Sequence, residues 1–226
     1  MALHTDRRYE EELAHLRKLI LEMGGLVERQ IGDATSSLAT SDRTLAERTI
    51  ERDHEVNRYD VDIDEECLRL LALHQPAARD LRLITTSLKI TTDLERVGDM
   101  AVNISERAID LSETPAMPLQ GDLPRMADTV RKMLRESLDA FVREDADLAL
   151  SVCKEDDVID AMHAQMFADV LGRMSRDPSL VVAGTATLFV SKYLERIADH
   201  ATNIAEMVIF MVKGKSIRHL SVPASI

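Results

Sequence analysis

The sequence predicts an all-α protein built as two tandem three-helix bundles. Three observations point there: an aliphatic composition, an unbroken helical periodicity, and a long segment that occurs twice. Hydrophobic residues make up 45% of the 226 residues, yet aromatics are only 3% and Trp is absent. Such a core must be made of Leu, Ile, Val, Ala and the 11 Met. Helix-on-helix packing accepts that mixture, whereas strands favour aromatic and β-branched side chains.

The first segment, about Thr5 to Thr40, carries Leu13, Leu16, Ile20, Met23, Val27, Ile31 and Leu38 at steps of three or four, the spacing of one helix face. Gly24-Gly25 in its middle costs about 1 kcal/mol per Gly against Ala, so a kink or a close helix contact is expected there. Ser41-Asp42 is a cap for a second helix running to about His74. Gln75-Pro76 breaks it, with Pro76 placed in the first turn of a third helix that ends near Leu111. SETPAMPLQGDLP, 112–124, holds three of the six prolines and reads as a linker. Asp122 then caps a fourth helix with Pro124 in its first turn, and a fifth runs from about Asp145 to Arg176. Asp177-Pro178 breaks that one, and a sixth helix stops at Gly214. The expected units are 1–111 for the first bundle, 112–122 for the linker and 123–226 for the second bundle with its basic tail, KGKSIRH.

The closing helices of the two halves contain LERVGDMAVNISE at 94–106 and LERIADHATNIAE at 194–206. Eight of those thirteen positions are identical at an offset of 100, and Val97/Ile197, Gly98/Ala198 and Ser105/Ala205 are small or aliphatic exchanges. Upstream, Leu45 matches Leu148 and Asp53 matches Asp156 at an offset of 103. A helix triplet repeated around a Pro-rich linker reads as two three-helix bundles.

The formal charge of −12 and pI near 5.0 repel phosphate backbones and anionic lipid, which argues against nucleic-acid or direct membrane binding. Any membrane contact is expected to pass through a partner. The N-terminus has no apolar core of a secretory signal, and the most apolar stretch, Leu180 to Val190, is about half the roughly 20 residues of a membrane span. Cys67 and Cys153 are too few for a disulfide framework or zinc knuckle and suggest a reducing, cytoplasmic setting. No nucleophile–base set or Gly-rich phosphate loop is present, so an enzyme is not expected.

Glu95, Asp99, Asn103 and Glu106 fall within roughly 80° of one helix face, well away from the apolar stripe, and Glu195, Asp199, Asn203 and Glu206 repeat them. The preceding helices carry matching stripes: Asp53, Asn57, Asp60 and Asp64 in the first half, Asp156, Asp160 and His163 in the second. Carboxylates four apart on a helix repel by about 0.2–0.5 kcal/mol per pair. An acidic stripe alone is usually a solvated face, and duplication alone copies residues without need. Here, however, polar surface positions match between the halves as well as apolar ones do. That pattern suggests a cation offsetting the repulsion: Mg, Mn, Fe or Zn on oxygen ligands with an occasional imidazole. Arg96 and Arg196 read as ion-pair braces for the acids. The pairs Glu12/His15 and Glu51/His54 have the Glu-x-x-His form of a ferritin-like di-metal centre, but neither recurs in the second half.

At these residues the chain resembles the PhoU family of bacterial phosphate-signalling accessory proteins. The matching pieces are MGGLVERQIGDA at 23–34, DHEVNRYDVDIDEECLRLLALHQP at 53–76, LRLITTSLKITTDLERVGDMAVNISE at 81–106 and YLERIADHATNIAEMVIFMVKGKSIRH at 193–219. The resemblance implies a pseudo-twofold arrangement of the bundles and one metal cluster on each, held by Glu/Asp-x-x-x-Asp motifs. By motif match these are Glu95 with Asp99 and Glu195 with Asp199, faced by Asp53, Asp60, Asp156 and Asp160, with Asn57, Asn103, His163 and Asn203 as additional or supporting groups. It further implies negative control of a phosphate-starvation regulon through the phosphate ABC transporter ATPase and a sensor histidine kinase. A homodimer is compatible with it, and a carboxylate-bridged metal store is the alternative reading. Asn57 stands where the second half has Asp160, and Met100 where it has His200, so the two faces need not be equal.

Overall fold

The computed structural model describes residues 2–112 and 122–215, and among them there is no strand. Seven α-helices follow in order: α1 Ala2–Thr40, α2 Arg43–Glu51, α3 Asp53–His74, α4 Ala78–Leu111, α5 Asp122–Arg143, α6 Ala146–Arg176 and α7 Val181–Lys213. A short 3-10 turn, Pro178–Leu180, joins α6 to α7. Helices α1 to α4 pack as one bundle, with α2 and α3 together forming its second rod, and α5, α6 and α7 pack as the other. Most of the linker, 113–121, and the basic tail beyond Lys215 lie outside the described residues.

The helix boundaries follow local chemistry. Asp42 accepts from the Leu45 amide at 3.0 Å to start α2, and Asp145 accepts from the Asp147 and Leu148 amides, both at 3.0 Å, to start α6. Each cap follows a left-handed residue, Ser41 at φ 54° and Glu144 at φ 53°. Gly214, at φ 68°, closes α7 in the conformation that a helix terminus reserves for glycine.

Two expectations need correction. The predicted second helix is broken at Arg52, where the ladder tightens to a three-residue bond from Glu55 N–H to the Arg52 carbonyl and the Arg52 side chain reaches Asp33 on α1 at 3.0 Å. Pro76 does not enter the third helix. Gln75 turns left-handed at φ 47°, and α4 starts only at Ala78.

Leu16, Ile20, Met23, Ile31, Ile63, Leu70, Ile84, Ile90, Leu94 and Ile104 have essentially no exposure in the first bundle, each contributing about 1.5–3 kcal/mol of transfer free energy. The bundles meet through α4 on α7 and α1 on α5. The α4 and α7 helices run antiparallel: Arg82 near the start of α4 donates to the Met211 carbonyl near the end of α7 at 3.0 Å, and Asp93 pairs with His200 at 2.6 Å. Gly24 lets α1 approach α5, since a Cβ there would lie 2.2 Å from Leu138 Cδ1. Gly24 thus serves a close helix contact within a continuous α1, whereas Gly25 has only Arg29 of its own helix nearby. At one end of the interface, Glu144 in the α5–α6 turn is gripped by Arg17 at 3.0 Å and by Arg79.

Candidate metal-binding faces

Helices α3 and α4 lie side by side in the first bundle, as do α6 and α7 in the second, and each seam carries a group of carboxylates. On the first seam, burial and then the neighbouring Asp99 raise the Asp53 carboxyl above its ordinary range, although Asn57 Nδ2 donates to its Oδ2 at 3.0 Å. Glu95 is raised by burial and by the charges of Asp99, Asp60 and Asp53. Asp60 is raised by burial and by Asp64. The fold therefore brings Asp53, Asp60, Glu95 and Asp99 into one electrostatic group. Arg96 braces it from the solvent side, 3.5 Å from both Glu95 and Asp99.

The second seam repeats this pattern, with one large shift. Asp156 is pushed up to about 6, by burial first and then by Asp199 and Asp160. Asp199 is raised by burial, Glu195 and Asp160, and held down in part by Lys192 and His200. Here the brace on Glu195 is Lys192, at 2.6 Å. An isolated aspartate titrates near 4, so the second seam keeps its acids at a real cost in the absence of a counter-ion.

The supporting groups divide. Asn57 lies on the first seam, against Asp53, while Asn103 is half-buried on α4. His163 Nδ1 pairs with Ser191 Oγ, and Asn203 Nδ2 reaches 3.4 Å across the bundle interface to Asp93. Both of these side chains are engaged away from the carboxylates. The Glu12/His15 pair does not form a di-metal set: Glu12 holds His74 at 2.6 Å and Arg69 at 3.3 Å. Cys67 and Cys153 are buried free thiols, each pushed up to about 12 by burial.

A residue outside the predicted set also belongs to the first seam. Gln30 of α1 is 2% exposed and lies beside Asp53, whose carboxyl its side chain pulls downward by hydrogen bonding. Its Oε1 and Asp53 Oδ1 lie 3.5 and 3.3 Å from where a Cβ on Gly98 would sit. The sequence did hold a signal: Gln30 follows Met23 by seven and Val27 by three, a polar residue inside the apolar stripe of α1.

The donor set fits a hard cation in kind, being carboxylate oxygen with neighbouring amide oxygen. In this arrangement no three carboxylate, imidazole or thiol groups among the described residues are drawn together closely enough to hold one. The carboxylates would have to turn inward to bind, which their mutual repulsion opposes and a cation would favour.

No helix among the described residues is long and apolar enough to cross a membrane. The PhoU domain family model matches residues 20–108 and 123–208, one copy on each bundle. The phosphate-specific transport system accessory protein PhoU homolog of Pseudomonas putida is 42% identical over 96% of this chain and 85% of its own length. The homolog from Caulobacter vibrioides strain NA1000 is 40% identical over 96% and 95%. The crystal structure of PhoU from Pseudomonas aeruginosa superposes with a TM-score of 0.88 at 42% identity, covering 92% of this chain and all of that one. That of the phosphate transport system regulatory protein PhoU from Streptococcus pneumoniae gives 0.86 at 32% identity, covering 92% and 98%. With the model matched twice and relatives aligned over nearly the whole length, the chain belongs to the PhoU family, a family of regulatory accessory proteins rather than enzymes.

Proposed function

We propose that the chain is a cytoplasmic regulator of phosphate uptake and signalling that acts by contact and carries a metal cluster on each bundle. The regulatory role is supported by relatives named as accessory proteins of phosphate-specific transport systems. The observation that carries the metal reading is the duplicated carboxylate seam, whose acids Asp53, Glu95, Asp156 and Asp199 are all raised by burial and by one another. Asp53, Asp60, Glu95 and Asp99 would hold the first cluster, and Asp156, Asp160, Glu195 and Asp199 the second. Iron, zinc, manganese and magnesium all suit the oxygen donors. When bound, a cluster supplies fixed positive charge that orders the seam and an open position for a partner's carboxylate or phosphate.

The partners of this reading are the transporter ATPase and a sensor histidine kinase, with the chain holding the kinase's output down while phosphate is abundant. Deleting the gene should leave phosphate-starvation genes switched on in phosphate-replete cells, and pull-down should recover the ATPase or the kinase. Normal gene control with neither partner recovered would overturn the regulatory role and favour metal storage. For the metal, Glu95→Ala with Asp99→Ala should halve the metal content of protein purified without chelators. Full retention of metal would refute the assignment of the first seam.

A further inference from the structure

We propose that the outward face of α6, from Ala161 to Leu171, is the surface on which the chain receives its protein partner, and that the partner lays an amphipathic helix there, its apolar stripe edged by Lys or Arg. This inference rests on the contact role proposed above and names the surface and the chemistry that role needs. It uses none of the cluster acids.

The duplication supplies the comparison. The offset of 103 between α3 and α6 brings buried residues together: Val56 with Ile159, Ile63 with Met166 and Cys67 with Val170. The exposed positions between them coincide as well, but their chemistry does not. Arg58, Asp62, Asp64 and Glu65 of α3 are answered on α6 by Ala161, Gln165, Phe167 and Ala168, and all eight are exposed. Val61 and Leu68 are answered by Ala164 and Leu171. At 100° per residue, Ala161, Ala164, Phe167, Ala168 and Leu171 fall within roughly 120° of one face. Phe167 and Leu171 are each 48% exposed, and α7 widens the face with exposed Val181 and half-buried Leu188. Among the described residues α6 packs only against α5, α7 and the 3-10 turn, so its outer side is open. Contiguous apolar surface held out to water, where the twin helix is charged, marks a place where something docks.

Shape and charge choose the occupant. Methyl side chains at Ala161, Ala164 and Ala168 let a second helix lie close, with Phe167 and Leu171 set into its grooves. Asp157 heads the stripe and Asp169 stands on its flank, both exposed, and Asp169 accepts from Gln165 Nε2 at 3.1 Å. The cations Arg173 and Arg176 follow only after the stripe has ended. On a chain of net charge −12, such a rim selects against acidic helices and anionic lipid and favours Lys or Arg beside the partner's apolar residues.

The first probe is a synthetic amphipathic peptide of Leu and Lys, about four helical turns long, with a Leu and Glu peptide of the same pattern as control. By fluorescence anisotropy the full chain should bind the Leu–Lys peptide at least about tenfold more tightly than the Leu–Glu one. Phe167→Gln with Leu171→Gln should weaken the Leu–Lys peptide at least about tenfold. Asp157→Asn with Asp169→Asn should weaken it too and flatten its dependence on salt. Leu68→Gln, at the matching exposed position of α3, should leave the affinity as it was, and all these variants should melt with the unaltered chain. The second probe is the pull-down: the Phe167→Gln, Leu171→Gln chain should lose the ATPase or kinase that the unaltered chain recovers, and Leu68→Gln should keep it. Undiminished recovery by the double variant, or equal affinity for the two peptides, would overturn the face and leave the regulatory role standing. A dimer in sedimentation that the double variant dissolves, or binding to phosphatidylglycerol vesicles that it abolishes, would also overturn the proposal, by making a second copy or a membrane the occupant. Recovery of neither partner by the unaltered chain would overturn the regulatory role and this proposal with it.

Discussion

At the scale of the residue, the pH response of Asp156 has a definite sign. Its folded carboxyl is pushed up to about 6, so below that value the folded state holds a proton that the unfolded chain has already released. Stability from this group is therefore greatest in acid and is lost as the pH rises from the ordinary carboxylate value through about 6. Asp156→Asn should accordingly stabilise the metal-free protein at about pH 7.5, by about 1–2 kcal/mol after solvent screening, and the gain should shrink towards about pH 4. Urea melts at both pH values check it. Cys67 and Cys153 give a second expectation: with their thiols at about 12 and buried, neither should be alkylated at neutral pH until the chain unfolds. The carboxylates were legible in the sequence because a stripe of like charge has a period. His200 and Asp93 were not, because their pairing depends on how two bundles meet and nothing in either helix alone announces it.

At the scale of the element, periodicity placed the helices well, and local chemistry placed their ends where a side chain caps the backbone. Asp42, Asp145 and Gly214 all act as the sequence suggests. The break at Arg52 left no such mark. It involves no Gly or Pro, only a tightened turn and a cross-helix ion pair to Asp33, and α6 runs unbroken through the matching position. Gly24 is the sharpest local constraint on helix packing. Gly24→Val would drive a branched side chain into Leu138 and should cost about 1–3 kcal/mol through overpacking, read as a lower denaturation midpoint with an unchanged slope.

At the scale of the whole molecule, the bundles are joined by a small number of directional contacts laid over an apolar seam. Asp93 sits at the centre of one, held by His200 and Asn203, with its side chain 14% exposed. His200→Met installs the residue found at the equivalent position of α4, Met100, and leaves that carboxylate with Asn203 alone. A loss of about 1–3 kcal/mol is expected, with faster hydrogen exchange concentrated along α4 and α7. The repeat was plain in the sequence, but its antiparallel docking was not, because the apolar faces of α4 and α7 are compatible with either direction. Polar contacts such as Arg82 to the Met211 carbonyl distinguish the two.

That antiparallel docking has an evolutionary consequence. A chain whose two halves meet through antiparallel helices about a near-twofold axis resembles a homodimer written as one polypeptide. Its halves assemble at a fixed one-to-one ratio whatever the protein concentration, whereas a true dimer dissociates on dilution. A true dimer must also accept every substitution twice, once on each side of its axis. The fused form escapes that rule. His200 faces Asp93 with no symmetry-related copy of the pair, since α4 carries Met100 and α7 carries Tyr193. Fusion thus gave one scaffold two related surfaces that were free to specialise separately.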